Sequence, residues 1–361
     1  MSARAPAMTR RRAVTGLGAT LGAGLAAGLA VPASGLGAVE RGYLKRAEWD
    51  AFKARFMTAE GRIVDTGNGD RSHSEGQGFA MVLATAFDDP GAFLALWRWT
   101  RTTLQVRDDA LLAWTWDPAA GAIGDRNNAT DGDLFVAWGL LRAFARWGEP
   151  AWRDEAARIL AAVVAHCVVR RGDGRLLLPG AAGFVRDDRV VVNPSYWVYP
   201  AFAAFAEAGI DGPWRALAGT GRALVDGFAA GGTGLVPDWC AVGERVTPAA
   251  DLPFAFGFDA VRVPLYLRWA YPAGEVRARL RPVVAYAERY GAIGAVPATI
   301  DLATGETAAY PMSLGAQAIL LLAEHAVAGG ELLLPLKRDD RDYYANVLLL
   351  LTKLAATEMP R

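Results

Sequence analysis

Apolar residues recur at helical spacing in eleven stretches of the chain, near 43–57, 72–88, 90–106, 130–147, 151–169, 194–208, 213–229, 258–271, 274–290, 311–328 and 339–356. In the fourth, Leu134, Ala137, Trp138, Leu141 and Ala145 mark one face. Pro or Gly stands at most borders, where helices stop or start. Strand-like alternation is brief, as in Arg189-Val190-Val191-Val192, so only short strands within loops are expected. The pattern predicts an all-α chain.

The links between these helices alternate in length. Long gaps follow helices one, three, five, seven and nine; only a few residues follow helices two, four, six and eight, and somewhat more follow helix ten. Short links imply antiparallel neighbours, so each even helix should pair with the odd helix after it. Hairpins laid side by side put every long loop at one end. Closed into a ring, they make a helical toroid with one loop-rich face, the kind of rigid platform on which binding residues collect. The even helices then open on that face with Glu75, Asp131, Tyr196, Asp259 and the segment Pro311-Met312-Ser313, at intervals of 56, 65, 63 and 54 residues. The segments are not alike, so this is a structural period and not a sequence repeat. No linker interrupts it, and one domain is expected over 39–361.

Composition narrows the picture. The 361 residues are 53% hydrophobic with 12 Trp, enough for a large core, and carry 38 basic and 38 acidic side chains. Without a basic stripe, nucleic acid is not an expected partner. The N-terminus stands apart: Thr9-Arg10-Arg11-Arg12 precedes an Ala/Gly-rich stretch from Ala13 to Ala30, with small residues at Ala33 and Ala38. This reads as an export signal over 1–38, of twin-arginine type in preference to an ordinary secretory one, and it predicts a periplasmic or secreted protein. The remainder holds 34 basic and 38 acidic residues, a net of −4, and has no run of 18 apolar residues, so no membrane span is expected there. Cys167 and Cys240 are too few for a disulfide framework or a zinc cluster. One disulfide could form in an oxidising compartment, but Cys167 lies in an apolar helical run and reads better as core.

The candidate chemistry begins at Ser72-His73-Ser74-Glu75-Gly76-Gln77-Gly78, which opens the apolar run Phe79–Phe87. Ser72 and Glu75 fit a capping box, and Thr130, Asp131 and Asp259 are also good N-cap types. Capping explains any one acid more simply than catalysis does. Three acids at corresponding helix mouths (Glu75, Asp131 with its neighbour Asp133, and Asp259) are harder to explain that way. Aromatics accompany them: Trp114 and Trp116, Tyr196 and Trp197, and Trp239 in Pro237-Asp-Trp239. Flat rings stack on pyranose faces, and a carboxylate pair in an aromatic cleft is what glycosidic cleavage needs. One tension is plain. A helix N-terminus favours an ionised carboxylate, whereas a general acid must hold its proton. Glu75 therefore needs burial or a negative neighbour, which Asp131 could be. His73, His166 and His325 are scattered, and there is neither a Gly-x-Ser-x-Gly elbow nor a phosphate loop. No metal and no cofactor are expected.

With those residues in view, the chain resembles glycoside hydrolase family 8, most of all the periplasmic endoglucanases encoded beside bacterial cellulose synthases. The resemblance runs from about Trp49 to Leu354. It is carried by Gly61-Arg-Ile-Val-Asp65, Ser74-Glu-Gly-Gln-Gly78, Ala129-Thr-Asp-Gly-Asp133, Leu177-Leu-Pro-Gly-Ala-Ala-Gly-Phe184, Asn193-Pro-Ser-Tyr196, Pro237-Asp-Trp239 and Phe258-Asp-Ala-Val-Arg-Val263, in that order. It implies an (α/α)6 barrel of six helical hairpins, and an inverting endo-1,4-β-glucanase. Carried over, Glu75 matches the general acid, Asp259 the general base, and Asp131 the acid that holds the sugar at the cleavage point. Trp114, Tyr196 and Arg262 match substrate-site residues, Trp239 joins them as an aromatic of the cleft, and either Tyr343 or Tyr344 matches a further site tyrosine. Phe258 and Phe79 stand where Tyr is usual, and Val136 where Ile or Met is. Eleven helices were counted where the fold has twelve, and the missing one is expected near Leu332–Leu336.

The expected function is hydrolysis of β-1,4-glucan by a monomer, linked to cellulose synthesis and its synthase machinery. Chitosan or xylan is the alternative substrate. A non-catalytic glucan-binding scaffold is the alternative class.

Overall fold

The computed structural model describes residues 42–172, 174–186, 189–229, 232–336 and 342–361. The leader expected over 1–38 lies outside the described residues, as do residues 339–341, expected to open the last helix. Eleven α-helices occur among the described residues: α1 (Arg46–Phe56), α2 (Ser74–Ala86), α3 (Pro90–Thr103), α4 (Thr130–Trp147), α5 (Pro150–Cys167), α6 (Tyr199–Glu207), α7 (Trp214–Ala229), α8 (Arg262–Ala270), α9 (Ala273–Glu288), α10 (Leu314–Ala328) and α11 (Tyr343–Glu358). Strands are short and confined to the loops, and Arg189–Val192 is one of them.

Six helices, α2, α4, α6, α8, α10 and α11, pack in succession into an inner ring, with α11 closing back onto α2. The remaining five lie outside it. Burial separates the two sets. Every residue of α2 from Ser74 to Thr85 is buried, as is every residue of α4 from Thr130 to Leu141. Such helices are apolar all round because they have neighbours all round. The outer α3 buries one stripe only, Ala92, Phe93, Leu96, Trp97 and Thr100. Inner neighbours also press close: a Cβ added at Gly78 would stand 2.5 Å from the Phe135 Cβ.

Three expectations need correction. First, the even–odd alternation ends early: α11 packs on α10 as expected, but it is itself the sixth inner helix. Every residue from Tyr343 to Ala356 is buried, which an outer helix with one apolar stripe could not satisfy. Second, residues 331–336 form no helix; the outer position between α10 and α11 has none among the described residues. Third, helices expected to begin at 194 and 258 begin at Tyr199 and Arg262. Side chains hold the preceding turns: Asn193 accepts from the Ser195 N–H, and Asp238 from the N–H groups of Asp259 and Ala260. Cys167 and Cys240 are buried free thiols, and burial pushes both up to about 12. No helix among the described residues is long and apolar enough to cross a membrane.

One ion pair ties the ring to its outer layer. Lys353 on α11 donates to Glu48 on α1 at 2.6 Å, and both residues are buried. Removing one member strands the other charge. Lys353→Ala should therefore lower the unfolding free energy by about 3 kcal/mol or more. Replacing both by Met should restore most of it, as read by urea titration.

Candidate active site

The Ser74-Glu-Gly-Gln-Gly78 segment opens α2, and local bonds fix its pose. Ser72 is not the cap: it sits in the strand Ser72–His73, and its hydroxyl donates to the Ile63 carbonyl at 2.5 Å. His73 caps the helix instead, its Nδ1 accepting from the Gly76 N–H at 3.0 Å. The Ser72–His73 strand pairs with Thr115–Trp116, and the Ser74 N–H donates to the Trp114 carbonyl. Buried Gln77 donates to the Gly61 carbonyl and the Thr100 hydroxyl, and accepts from the Ile63 N–H at 2.6 Å. This holds the helix mouth from three sides and leaves the Glu75 side chain to meet Arg262.

Asp131 lies in the first turn of α4, and Asp259 on the turn before α8. The N-cap positions there are Ala129 and Val261, so neither acid is a cap. A Cβ at Gly132 would stand 2.1 Å from Ser74 Oγ and 2.8 Å from the Glu75 nitrogen. Only glycine lets the mouths of α2 and α4 come this close.

All three acids meet one guanidinium. Arg262 Nη1 lies 3.0 Å from Glu75 Oε2 and 3.0 Å from Asp131 Oδ2. Arg262 Nη2 donates to Asp259 Oδ1 at 2.8 Å and to Ser195 Oγ at 2.8 Å. The Ser195 hydroxyl donates to Asn193 Oδ1 at 2.7 Å, and Asn193 Nδ2 donates to Asp259 Oδ2 at 3.0 Å. Arg262, Ser195, Asn193 and Asp259 thus form a closed cycle of hydrogen bonds, with Glu75 and Asp131 on its other side. Arg262 is fully buried. Burial opposes its charge, but Glu75 and the other acidic neighbours outweigh this and raise its proton affinity well above the ordinary value.

The aromatic candidates divide. Tyr196 lies under Arg262, ring centre 6.0 Å from the guanidinium carbon. The Tyr344 hydroxyl donates to the Phe258 carbonyl at 2.6 Å, beside Asp259. Tyr343 packs against Phe52, Phe56 and His73, and a Cβ on Gly76 would stand 2.8 Å from its hydroxyl. Trp114 is half-buried beside Ser74, its Nε1 donating to Asp125. Trp239 is buried, stacked on Phe184 and tilted against Tyr196, so it packs the wall behind the site.

Several members escaped the sequence reading. Asn193 and Ser195 stand inside a motif noted for its aromatics, Tyr196 and Trp197. Asp133, noted only as a neighbour of Asp131, accepts from the Leu112 N–H at 2.8 Å and from Asn128 Nδ2 at 2.7 Å. Burial pushes it up to about 7, against those bonds. It anchors the segment that carries Trp114. Among the described residues, no group of three His, Cys, Asp or Glu could hold a metal.

The family model for glycosyl hydrolases family 8 matches residues 25–358. The chain belongs to this family. An endoglucanase of Cellulomonas uda is 40% identical over 274 residues, 75% of either chain. A probable endoglucanase of Novacetimonas hansenii is 37% identical over 317 residues, 86% of this chain and 90% of that protein. Among solved structures, a family 8 endo-β-1,4-glucanase from an Achatina fulica gut metagenomic library is 39% identical, with a TM-score of 0.79 over 87% of this chain and 99% of that one. The inner ring is accordingly that of an (α/α)6 barrel, and the chain is a glycoside hydrolase.

In a family 8 hydrolase built this way, the guanidinium is what lets three buried carboxylates coexist. Arg262→Met should destabilise the fold by about 3–5 kcal/mol at neutral pH. The sign of its pH dependence follows. Without the cation, the buried acids would hold protons above the unfolded carboxylate value of about 4. The loss should be small below that pH and grow as pH rises, as read by melting curves across pH 4–8. Gly132→Ala should cut kcat by about tenfold or more by displacing Glu75, roughly 1.4 kcal/mol on the barrier.

Proposed function

We propose that the chain is an endo-1,4-β-glucanase that cleaves β-1,4-linked glucan with inversion. The observation that carries this is the meeting of Glu75, Asp131 and Asp259 on Arg262 at the mouths of the inner helices, in a family 8 chain with endoglucanases among its relatives.

In this reading Glu75 protonates the leaving oxygen and Asp259 draws a proton from the attacking water. The two acids take opposite nitrogens of one planar fork, which suits a pair that must leave room for water between them. Asp131 shares Nη1 with Glu75. With all three ionised, the cluster would carry −2 in a buried site, so holding one proton is favourable. In this reading Glu75 keeps that proton, with the Asp131 charge beside it opposing the pull of the α2 N-terminus. Asp131 is assigned the role of holding the sugar at the cleavage point. Trp114 offers a half-buried ring for stacking, and Tyr344 brings its hydroxyl beside Asp259 while that of Tyr343 lies by Gly76. Tyr196, Arg262 and Trp239 form the floor and wall.

The Arg-rich leader pattern of residues 1–38 supports export to the periplasm, and a role in trimming glucan during cellulose synthesis rests on the sequence resemblance alone.

The test is reducing-end release and viscosity loss on carboxymethylcellulose, with the purified chain and its Glu75→Gln variant side by side. Wild-type activity should fall by about 10³-fold or more in the variant, on the order of 4 kcal/mol, with the melting temperature retained. Cleavage of chitosan or xylan in place of cellulose would move the substrate assignment. A folded wild type silent on all three would leave the scaffold reading.

A further inference from the structure

Asp238 lies outside the acid cluster, yet it decides where one member of that cluster points. Its Oδ1 accepts from the backbone N–H of Asp259 at 3.0 Å and of Ala260 at 2.7 Å. Its own N–H donates to the Ala255 carbonyl at 2.7 Å. Ala255 belongs to a strand paired with Ile300–Asp301. The next residues, Cys240–Val242, pair with Arg189–Val192, the strand that delivers Asn193. Asp238 is therefore fixed by two sheets, and through one oxygen it fixes the turn before α8.

We propose that Asp238 is a positioning residue for the general base, a buried acceptor that holds the turn from which the Asp259 carboxylate reaches Arg262 and Asn193. This rests on the glycosidase reading given above.

Two arguments support it. The first is satisfaction. The N–H groups of Asp259 and Ala260 precede a helix start, where no intrahelical carbonyl serves them, and both residues are buried. Without Asp238 they would be costly orphans. The second is charge. The charged groups facing Asp238 are Asp259 and Arg262, and Arg262 is already engaged by three acids. Burial, and after it the Asp259 charge, pushes the Asp238 carboxyl up to about 8. Keeping its proton lets Asp259 carry the charge that a base needs. The fit is tight: a Cβ on Gly257 would stand 2.6 Å from Asp238 Oδ2, so a larger residue there would push the carboxyl off the turn.

The test compares Asp238→Asn and Asp238→Ala in the full chain, by steady-state kinetics on cellopentaose near pH 6. Asparagine keeps a neutral oxygen acceptor. It should hold kcat within about threefold of wild type, while alanine should lose about tenfold or more. KM should stay within about twofold in both, because the base and not the glucan contacts has moved. Asp238→Asn falling as far as Asp238→Ala would overturn the proposal, since the charge and not the acceptor would then matter. Wild-type kcat in Asp238→Ala would overturn it too. If the alanine variant does not fold, Gly257→Ala approaches the same carboxyl from the other side: lost kcat with KM kept supports the proposal, and unchanged kcat sinks it. A wild type inactive on cellopentaose would instead remove the glucanase reading, and this inference with it.

Discussion

A guanidinium in a dry place cannot stand alone, and neither can a carboxylate. Arg262 has no exposure, and the three acids around it are buried too. Each ion would cost several kcal/mol to desolvate singly. Together they are tolerable, because each carboxylate spends an oxygen on the guanidinium and because Ser195 and Asn193 close the remaining donor and acceptor positions. The cluster then constrains the chain: α2, α4, α8 and the Asn193–Tyr196 turn must converge on one point, and the glycines at the helix mouths let them. The ring architecture follows from apolar packing, whereas the mutual placement of its mouths follows from this one cation.

The same arrangement connects stability to chemistry. One positive charge against three acids leaves the site short of cations, and that shortage is useful. A hydrolase of this kind needs one carboxyl protonated and another ionised at the same pH. Environments that push two acids apart in proton affinity accomplish this. Here the helix N-termini and Arg262 favour the ionised form, while burial and crowding of like charge favour the protonated one. Asp133 and Asp238, buried just behind the cluster, are both pushed toward neutrality. They act as acceptors for backbone N–H groups while burial opposes their ionisation.

The amphipathic periods made most of the fold legible. All eleven helices lie where the sequence puts them, within a few residues at most ends. The long loops gave the position of the site, since Glu75, Asp131, Tyr196 and Asp259 do share one face. Errors arose where side chains overrode local pattern. Ser72 with Glu75 has the spacing of a capping box, but His73 reaches the Gly76 N–H first. Loop length alone does not tell which layer helix α11 joins. Its unbroken apolar run, Val347 to Leu351, and a lysine that must find Glu48 305 residues away mark it as inner. Trp239 has the right residue type for a sugar platform, but Phe184 and Tyr196 cover it. The hub was the least visible feature. Arg262 and Asp131 are 131 residues apart, and nothing local tells a helix-opening arginine that it will be surrounded by acids. The Asp259–Arg262 spacing of three was a clue to one of the contacts only.

The central claim is that Glu75 and Asp259 work from opposite sides of Arg262 on a single displacement by water. The anomer formed first reports on it most directly. Proton NMR of cellopentaose cleavage, recorded before mutarotation, should show the α-anomer at the new reducing end, because one displacement at a β-linkage inverts it. The β-anomer appearing first would mean a covalent intermediate and two displacements, and would contradict the roles given to both acids.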